Sequence, residues 1–317
     1  MSDEKVLHLV DSSMLIYGGG YYSSKYIIGE MIRDENDAFT NKRIPSDGIS
    51  FLFNVIASYG AYDEIVFCFD RNPTYKKYLM PRYKDGRSYN DNIERQKRIA
   101  EYILEDCGFN VISVEDYHSN FDDEEEYNGF GFEADDIIFT LAKKYEKEYD
   151  RIYIHTNDRD LAISVTDKVQ IVPATSTGVH ITKSNYDTTV NKKLRLKYNT
   201  VSVNKIVDGC SSDNIPRLKP DVLRSAVIQA FSNVSCEEYL GDDEFVLNIF
   251  RTAFPAAYRQ ARVVYPVYLK ELYINKEKQP DLFRCQCWGS IVGNTSFTYP
   301  AVIPSDLLKK KEDLFEW

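Results

Sequence analysis

Residues 133–160, EADDIIFTLAKKYEKEYDRIYIHTNDRD, determine the fold class of this chain. Three acidic residues open a segment with apolar residues close to helical spacing, which predicts a helix over 133–149. The short apolar run 151–156 predicts a buried strand, and two more acidic residues follow it directly. A helix that leads into a strand with acids at its end is typical of a parallel α/β sheet.

The same alternation extends through the first two thirds of the chain. Strands are predicted at 6–10, 64–69, 109–114, 151–156 and 168–172, and helices at 47–59, 90–107 and 133–149. This alternation predicts an α/β fold with a central, mainly parallel sheet flanked by helices. The stretch 115–131 has seven acids and no base, and we predict a surface loop there. After about residue 205 the pattern changes and predicts a mainly helical C-terminal region.

Acidic residues recur at or just past the ends of the predicted strands. They are Asp11, Asp70, Glu133, Asp135, Asp136, Asp158 and Asp160. In an open parallel sheet the carboxyl ends of the strands face one crevice, so these side chains are expected to converge. Converging carboxylates repel each other unless cations neutralise them. Hard oxygen ligands without His or Cys suit Mg²⁺ or Mn²⁺, whose usual chemistry is phosphoryl transfer.

The composition limits the function classes. The net charge of −10 argues against a broad basic DNA-binding face, although 71–98 has nine Lys or Arg against three acids. The six cysteines are scattered, which favours reduced thiols over a disulfide framework. Because the N-terminus has no apolar signal segment and no apolar stretch nears about 20 residues, we expect no membrane association and a cytoplasmic location.

Five segments resemble, in the right order, the motifs of the flap endonuclease / 5′-nuclease family, with phage-type members most similar. They are Leu9-Val10-Asp11-Ser12-Ser13, the basic stretch Tyr75–Arg87 directly after Phe69-Asp70, Glu133-Ala134-Asp135-Asp136, Thr156-Asn157-Asp158-Arg159-Asp160-Leu161, and Gly209-Cys210-Ser211-Ser212-Asp213-Asn214-Ile215-Pro216. Each match alone is weak, but five in order form a specific signal over roughly residues 5–230.

This resemblance implies a PIN-like catalytic domain at 1–205 and two adjacent ions of Mg²⁺ or Mn²⁺. The implied ligands are Asp11, Asp70, Glu133 and Asp135, with Asp136 through water, at the first ion, and Asp158, Asp160 and Asp213 at the second. The implied reaction is two-metal hydrolysis of a phosphodiester to a 5′-phosphate and a 3′-hydroxyl. The remainder, 206–317, is implied to contain a degenerate helix–hairpin–helix at about 206–232 and a divergent tail.

The basic stretch at about 71–98 resembles the family's helical arch, through which a single-stranded 5′ end passes. The implied catalytic cations are Lys76, Lys77, Lys84 and Arg87, and the implied nucleic-acid contacts are Arg82, Tyr75 and Tyr83, with Arg217 and Lys219 in the degenerate hairpin. Two alternatives stay open. The basic residues can form a solvated loop, and the tyrosines can pack the arch instead of stacking on bases.

One departure from the family pattern concerns the second ion. Cys210 stands where the family has an aspartate, and a thiolate is a poor Mg²⁺ ligand. We therefore predict a weakened second site, unless Asp208 compensates or the missing ligand acts only through water.

The predicted function is 5′–3′ exonuclease or flap endonuclease activity in replication, in a phage-encoded monomer acting in the host cytoplasm. Its predicted substrate is DNA with a 5′ single-stranded flap or end, or an RNA–DNA hybrid. The acidic–aromatic tail with Phe315 and Trp317 suggests a sliding clamp or single-strand-binding protein as partner. Two alternatives are a weakened module that binds nucleic acid or a replication partner without cutting it, and a PIN-type ribonuclease.

Overall fold

A computed structural model describes residues 4–21, 47–56, 64–87, 90–120, 126–173, 178–189, 200–232, 243–281 and 283–285. The chain divides into two compact units. The first unit comprises Met1–Val10, Asp70–Arg87 and Ser113–Tyr273, and the second comprises Asp11–Phe69, Ser88–Ile112 and Ile274–Trp317. The predicted boundary near residue 205 remains a prediction. The predicted tail contacts, Phe315 and Trp317, lie outside the described residues.

The sheet of the first unit is parallel. Strand β1, Val6–Asp11, pairs with β6, Arg151–His155, which in turn pairs with β7, Val169–Val172. The register places Leu9 opposite Ile154, and both side chains are fully buried. The predicted parallel α/β sheet is therefore confirmed, and strand ends that carry acids lie at its carboxyl edge.

Helices surround this sheet in the first unit. They are α3, Thr74–Leu79; α5, Ala134–Tyr145; α6, Tyr186–Thr189; α7, Thr200–Asp208; α8, Asp221–Ser232; α9, Asp243–Ala253; and α10, Pro255–Val264. A buried cluster that includes Phe139, Val203, Phe231 and Phe250 joins α5 to the C-terminal helices. Burial of these large side chains is the main force that holds the C-terminal helices in place.

The acidic stretch 115–131 differs from its prediction. Strands β4, Tyr117–Asn120, and β5, Glu126–Phe130, form an antiparallel hairpin where we expected only a surface loop. Tyr117 and Phe130 are opposite each other, and the Tyr117 ring meets Phe132 edge to face at 5.6 Å. The aromatic residues on the hairpin outweigh its acidic composition, which is why a composition-based prediction missed it.

The second unit contains α1, Ser12–Tyr21; α2, Asp47–Ile56; β2, Glu64–Cys68; α4, Asp91–Asp106; and β3, Asn110–Ile112. Strands β2 and β3 are parallel, with Phe67 opposite Val111. Asn90 caps α4 by accepting hydrogen bonds from the amides of Asn92 and Ile93 at 3.0 and 3.3 Å, which fixes where this predicted helix begins.

No helix among the described residues has the length and apolar character needed to cross a membrane. The described cysteines Cys68, Cys107, Cys210 and Cys285 are free thiols, in line with the expectation of reduced cysteines.

A buried histidine pair lies within the sheet of the first unit. His8 Nδ1 on β1 is 2.8 Å from His155 Nε2 on β6, and both rings are almost fully buried. Burial, together with His8 and His180, holds the pKa of His155 well below its usual value. In this hydrogen bond one ring nitrogen donates and the other accepts, so at least one of the two imidazoles must be neutral.

We expect the folded state to lose stability as the pH falls below about 6.5, where an unfolded histidine gains a proton. Folded His155 stays neutral there, so the unfolded chain binds more protons and the loss approaches about 1.4 kcal/mol per pH unit. Urea unfolding between pH 7.5 and 5.5 measures it. His155→Gln should flatten the profile. The same slope in the native protein and in this variant would contradict this assignment.

Candidate functional site

The first group of acids forms around the start of α5. We call Asp70, Glu133, Asp135 and Asp136 the first acid group. Asp70 Oδ1 accepts a hydrogen bond from the Ala134 amide at 2.8 Å, so it satisfies one of the unpaired amides at the helix start. The helix dipole also favours negative charge at this position. Helix α5 therefore holds Asp70 beside the acids of its own first turn.

Glu133 is the most heavily paired member of this group. Its Oε2 accepts from Lys76 Nζ at 2.8 Å and from the Tyr83 hydroxyl at 2.9 Å, and its Oε1 pairs with Lys84 Nζ. Burial alone would raise the pKa of Glu133, but the two ammonium groups hold it well below its usual value. Glu133 therefore stays a carboxylate inside the protein.

The carboxylate of Asp136 is held by hydrogen bonds and an ion pair from other parts of the protein. Its Oδ1 accepts from the Val267 amide at 2.8 Å and lies 3.2 Å from Lys76 Nζ, and its Oδ2 accepts from the Glu133 amide at 3.2 Å. Burial raises the pKa of its carboxyl group. Both oxygens are engaged by protein groups, which supports the predicted indirect role of Asp136. The half-buried Asp135 acts electrostatically on Lys76.

The second acid group, Asp158, Asp160 and Asp213, follows β6 and α7. Asp158 Oδ1 accepts from the Asp160 amide at 2.9 Å, and the Asp158 amide donates to Thr156 Oγ1 at 2.9 Å. This local turn places both acids directly after the strand. Burial, then the nearby charge of Asp158, raises the pKa of Asp160.

Two cations neutralise this second group. Lys205 Nζ lies between Asp160 and Asp213, with Asp213 Oδ2 at 2.7 Å. Arg87 Nη2 contacts Asp213 Oδ1 at 2.5 Å. Although burial alone would raise it, these charges hold the pKa of Asp213 below its usual value.

Lys84 connects the two acid groups. Its amide donates to the Asp213 carbonyl at 3.0 Å while its ammonium pairs with Glu133. Lys84 adopts a left-handed conformation with a φ of 56°, which is uncommon for a residue other than glycine. Strain of this kind is concentrated at functional sites, where surrounding contacts hold it. The turn that carries Lys84 therefore links the first and second acid groups.

Some of the remaining predicted site residues are buried, and others are exposed or half-buried. Tyr75 and Tyr83 are buried, the Tyr75 hydroxyl accepts from Arg262 Nη2 at 2.7 Å, and Lys76 is buried between carboxylates. Their burial favours the packing alternative for both tyrosines. Five basic residues lie at exposed or half-buried positions: Lys77, Arg82, Arg87, Arg217 and Lys219.

Asp11 and Cys210 are the last two residues that the sequence analysis singled out for the site. Asp11 belongs to the second unit, where it ends β1 and accepts a hydrogen bond from the Met14 amide at 3.2 Å. Cys210 Sγ lies 3.4 Å from Asp213 Oδ2 and 3.0 Å from Ser212 Oγ. Asp208 pairs with Arg224, so its carboxylate is already neutralised by another residue.

Sequence reasoning missed Lys205. It is the single cation in the helix Thr200–Asp208. Its neighbours Ile206 and Val207 are fully buried. A lysine that shares an apolar helix with buried neighbours requires an acidic partner, and this is the signal that could have identified it.

Cationic side chains of the protein itself neutralise part of the negative charge of the two acid groups. Across the described ranges, no three or more His, Cys, Asp or Glu side chains are placed to hold a metal ion together. Lys76 and Lys84 leave the four carboxylates of the first acid group with a net charge of −2. Its donor atoms are all carboxylate oxygens, a set whose chemistry fits a hard divalent cation.

Part of the chain is similar to known 5′-3′ exonucleases. The profile of a family described as "5′-3′ exonuclease, N-terminal resolvase-like domain" matches residues 125–197, which contain five of the seven acids of the two groups. The "5′-3′ exonuclease" of Buchnera aphidicola subsp. Schizaphis graminum is 27% identical over 180 residues, 54% of each chain. That of Bacillus subtilis is 28% identical over 225 residues, 69% of this chain and 67% of its own.

The chain is similar to 5′-nucleases along part of its length. The Buchnera match spans about half of that relative's length. A bacteriophage T5 protein co-crystallised with metal ions shares the 5′-nuclease fold over 91% of this chain and 90% of its own, at a TM-score of 0.51 and 14% identity. The predicted PIN-like 5′-nuclease fold is therefore confirmed, and the similarities in sequence support the predicted family.

We expect Lys76→Met to destabilise the protein in EDTA by roughly 3–5 kcal/mol, because it leaves buried Glu133 and Asp136 without their shared cation. Chemical unfolding measures the change. Lys77→Met, the next residue along α3 and only half-buried, is the matched control and should change stability by less than about 1 kcal/mol. Equal losses in both variants would show that the ion pair is not what stabilises this region.

Proposed function

We propose that this chain is a divalent-metal-dependent nuclease that hydrolyses phosphodiesters near the 5′ ends of DNA, including 5′ single-stranded flaps. The observation that supports it most directly is the position of Lys84, which joins two groups of strand-end carboxylates. Burying several carboxylates together costs free energy unless a cation neutralises them. Phosphodiester hydrolysis is the usual chemistry of metal sites formed by such carboxylates.

The first acid group is the proposed metal-binding centre. Its residues Asp70, Glu133 and Asp135 would hold Mg²⁺ or Mn²⁺, with Asp11 as a further predicted ligand. When bound, such an ion polarises the phosphate and lowers the pKa of a water molecule beside it. Lys84 and Arg87 would neutralise the non-bridging phosphate oxygens, and Asp136 would hold Lys76 and the start of α5 in place.

The segment after Asp70 is the proposed contact surface for the substrate strand. Tyr78 on α3 and Arg82 in the turn after α3 are both exposed. The ring centroids of Tyr78 and Phe130 are 5.8 Å apart. Exposed cations track the phosphate backbone and an exposed aromatic ring stacks on bases. A local basic surface on a chain of net charge −10 suits a single-stranded end better than a long duplex.

The names of the curated relatives support exonuclease action, and the exposed basic segment supports flap recognition. Exonuclease cleavage and flap-endonuclease cleavage hydrolyse the same kind of phosphodiester bond. Assays on one set of substrates can therefore distinguish the two activities. The products expected from the family chemistry are a 5′-phosphate and a 3′-hydroxyl.

In a cleavage assay on a 5′-labelled flap duplex, we expect turnover in Mg²⁺ or Mn²⁺ and none in EDTA. Asp70→Asn and Asp158→Asn should each lower the rate by at least about 100-fold, because each removes a carboxylate from an acid group. Asp167→Asn, an exposed acid that pairs only peripherally with Lys183, is the matched control and should keep the parent rate.

Metal-dependent cleavage that is equal in all three variants would refute the assignment of the acid groups. Flap binding in EDTA without cleavage in either metal would point to a binding module. Preference for internal cleavage of structured RNA over the DNA flap would point to a ribonuclease.

A further inference from the structure

Lys205 occupies the centre of the second acid group. It extends from α7, whose buried residues Val203, Ile206 and Val207 fix the helix in the core of the first unit. Its ammonium contacts both Asp160 and Asp213, and only about a fifth of its side chain is exposed. Both carboxylates therefore already share one positive charge that is held in place by the fold.

Both oxygens of Asp213 are paired with cationic side chains. Oδ1 accepts from Arg87 Nη2 at 2.5 Å, and Oδ2 accepts from Lys205 Nζ at 2.7 Å and faces Cys210 Sγ at 3.4 Å. As a thiol, Cys210 adds a weak donor to this oxygen and no negative charge. The immediate surroundings of Asp213 are therefore cationic.

The charge balance differs between the two acid groups. Three carboxylates with Lys205 and Arg87 leave a net charge of −1 in the second acid group. The first acid group has four carboxylates and two lysines, which leave −2. A divalent cation would neutralise the first group and would leave the second with an excess positive charge.

We infer that Lys205 takes the place of a second divalent cation at the second acid group, so that the chain binds a single Mg²⁺ or Mn²⁺ ion at the first. This inference deepens the proposed nuclease function and rests on it. It departs from the two-ion expectation given by the sequence.

The ligand chemistry supports the same conclusion. A second ion would need Asp160 and Asp213 to release Lys205, and the released ammonium would remain nearby on its fixed helix. The sulfur of Cys210 is a soft ligand that binds Mg²⁺ poorly, so it cannot replace the carboxylate oxygens. In the native chain Lys205 acts as a positioning residue, because its charge keeps Asp160 and Asp213 from repelling an incoming phosphate.

The test is the number of Mn²⁺ ions bound per chain, from the electron paramagnetic resonance signal of free Mn²⁺ in a titration of the full chain. We expect one ion for the native protein and one for Lys183→Met, a lysine whose carboxylate partner Asp167 is highly exposed. The double variant Lys205→Met/Cys210→Asp makes the second acid group more negative by two charges. It should bind a second ion at least about tenfold more tightly than any weak second binding in the native chain.

Thermal unfolding with and without Mn²⁺ gives a second readout on the same proteins. The double variant should gain more stability from Mn²⁺ than the native chain does, because binding to the folded state adds stability. Circular dichroism at 25 °C checks that each variant is folded. If the double variant does not fold, the native stoichiometry decides alone.

Two ions of similar affinity in the native chain, together with metal-dependent cleavage, would overturn this inference and leave the proposed function intact. No bound ion and no metal-dependent cleavage would overturn both. One ion in the native chain and two in the double variant would support the inference.

Discussion

The structure around the acids depends on the pairing of buried Glu133 with Lys76 and Lys84. A buried carboxylate without a partner costs several kcal/mol, and here it has two ammonium groups and the Tyr83 hydroxyl. These contacts connect α3 and the following turn to the start of α5. The same pairing keeps Glu133 ionised, so the charge that the proposed chemistry requires also stabilises the fold.

Lys84 extends this constraint to the second acid group. Its amide and its ammonium contact Asp213 and Glu133, and its left-handed backbone lets both contacts form at once. A residue in this conformation is held by its surroundings rather than by its own preference. The two acid groups are therefore parts of one network within the first unit, in which Lys76, Lys84, Arg87 and Lys205 carry the opposing charge.

Local sequence patterns predicted the elements because each follows from short-range physics. The apolar spacing of α5 and the short apolar run of β6 were enough to identify both, with ends that differ from the prediction by a few residues. The β4–β5 hairpin was missed because aromatic cross-strand packing opposes its acidic composition. Likewise, no linear pattern indicates that Tyr75 is buried against Phe132 rather than exposed to bases.

The sequence by itself determined the α/β class, the resemblance to 5′-nucleases and the positions of the acids, because strand ends, helix starts and ordered motifs are local features. Only the tertiary structure decided which cation meets which carboxylate. Lys205 and Asp160 are 45 residues apart, and Lys76 and Glu133 are 57 apart. Pairing over such separations is set by how helices pack on the sheet, and packing depends on the whole core rather than on any one segment.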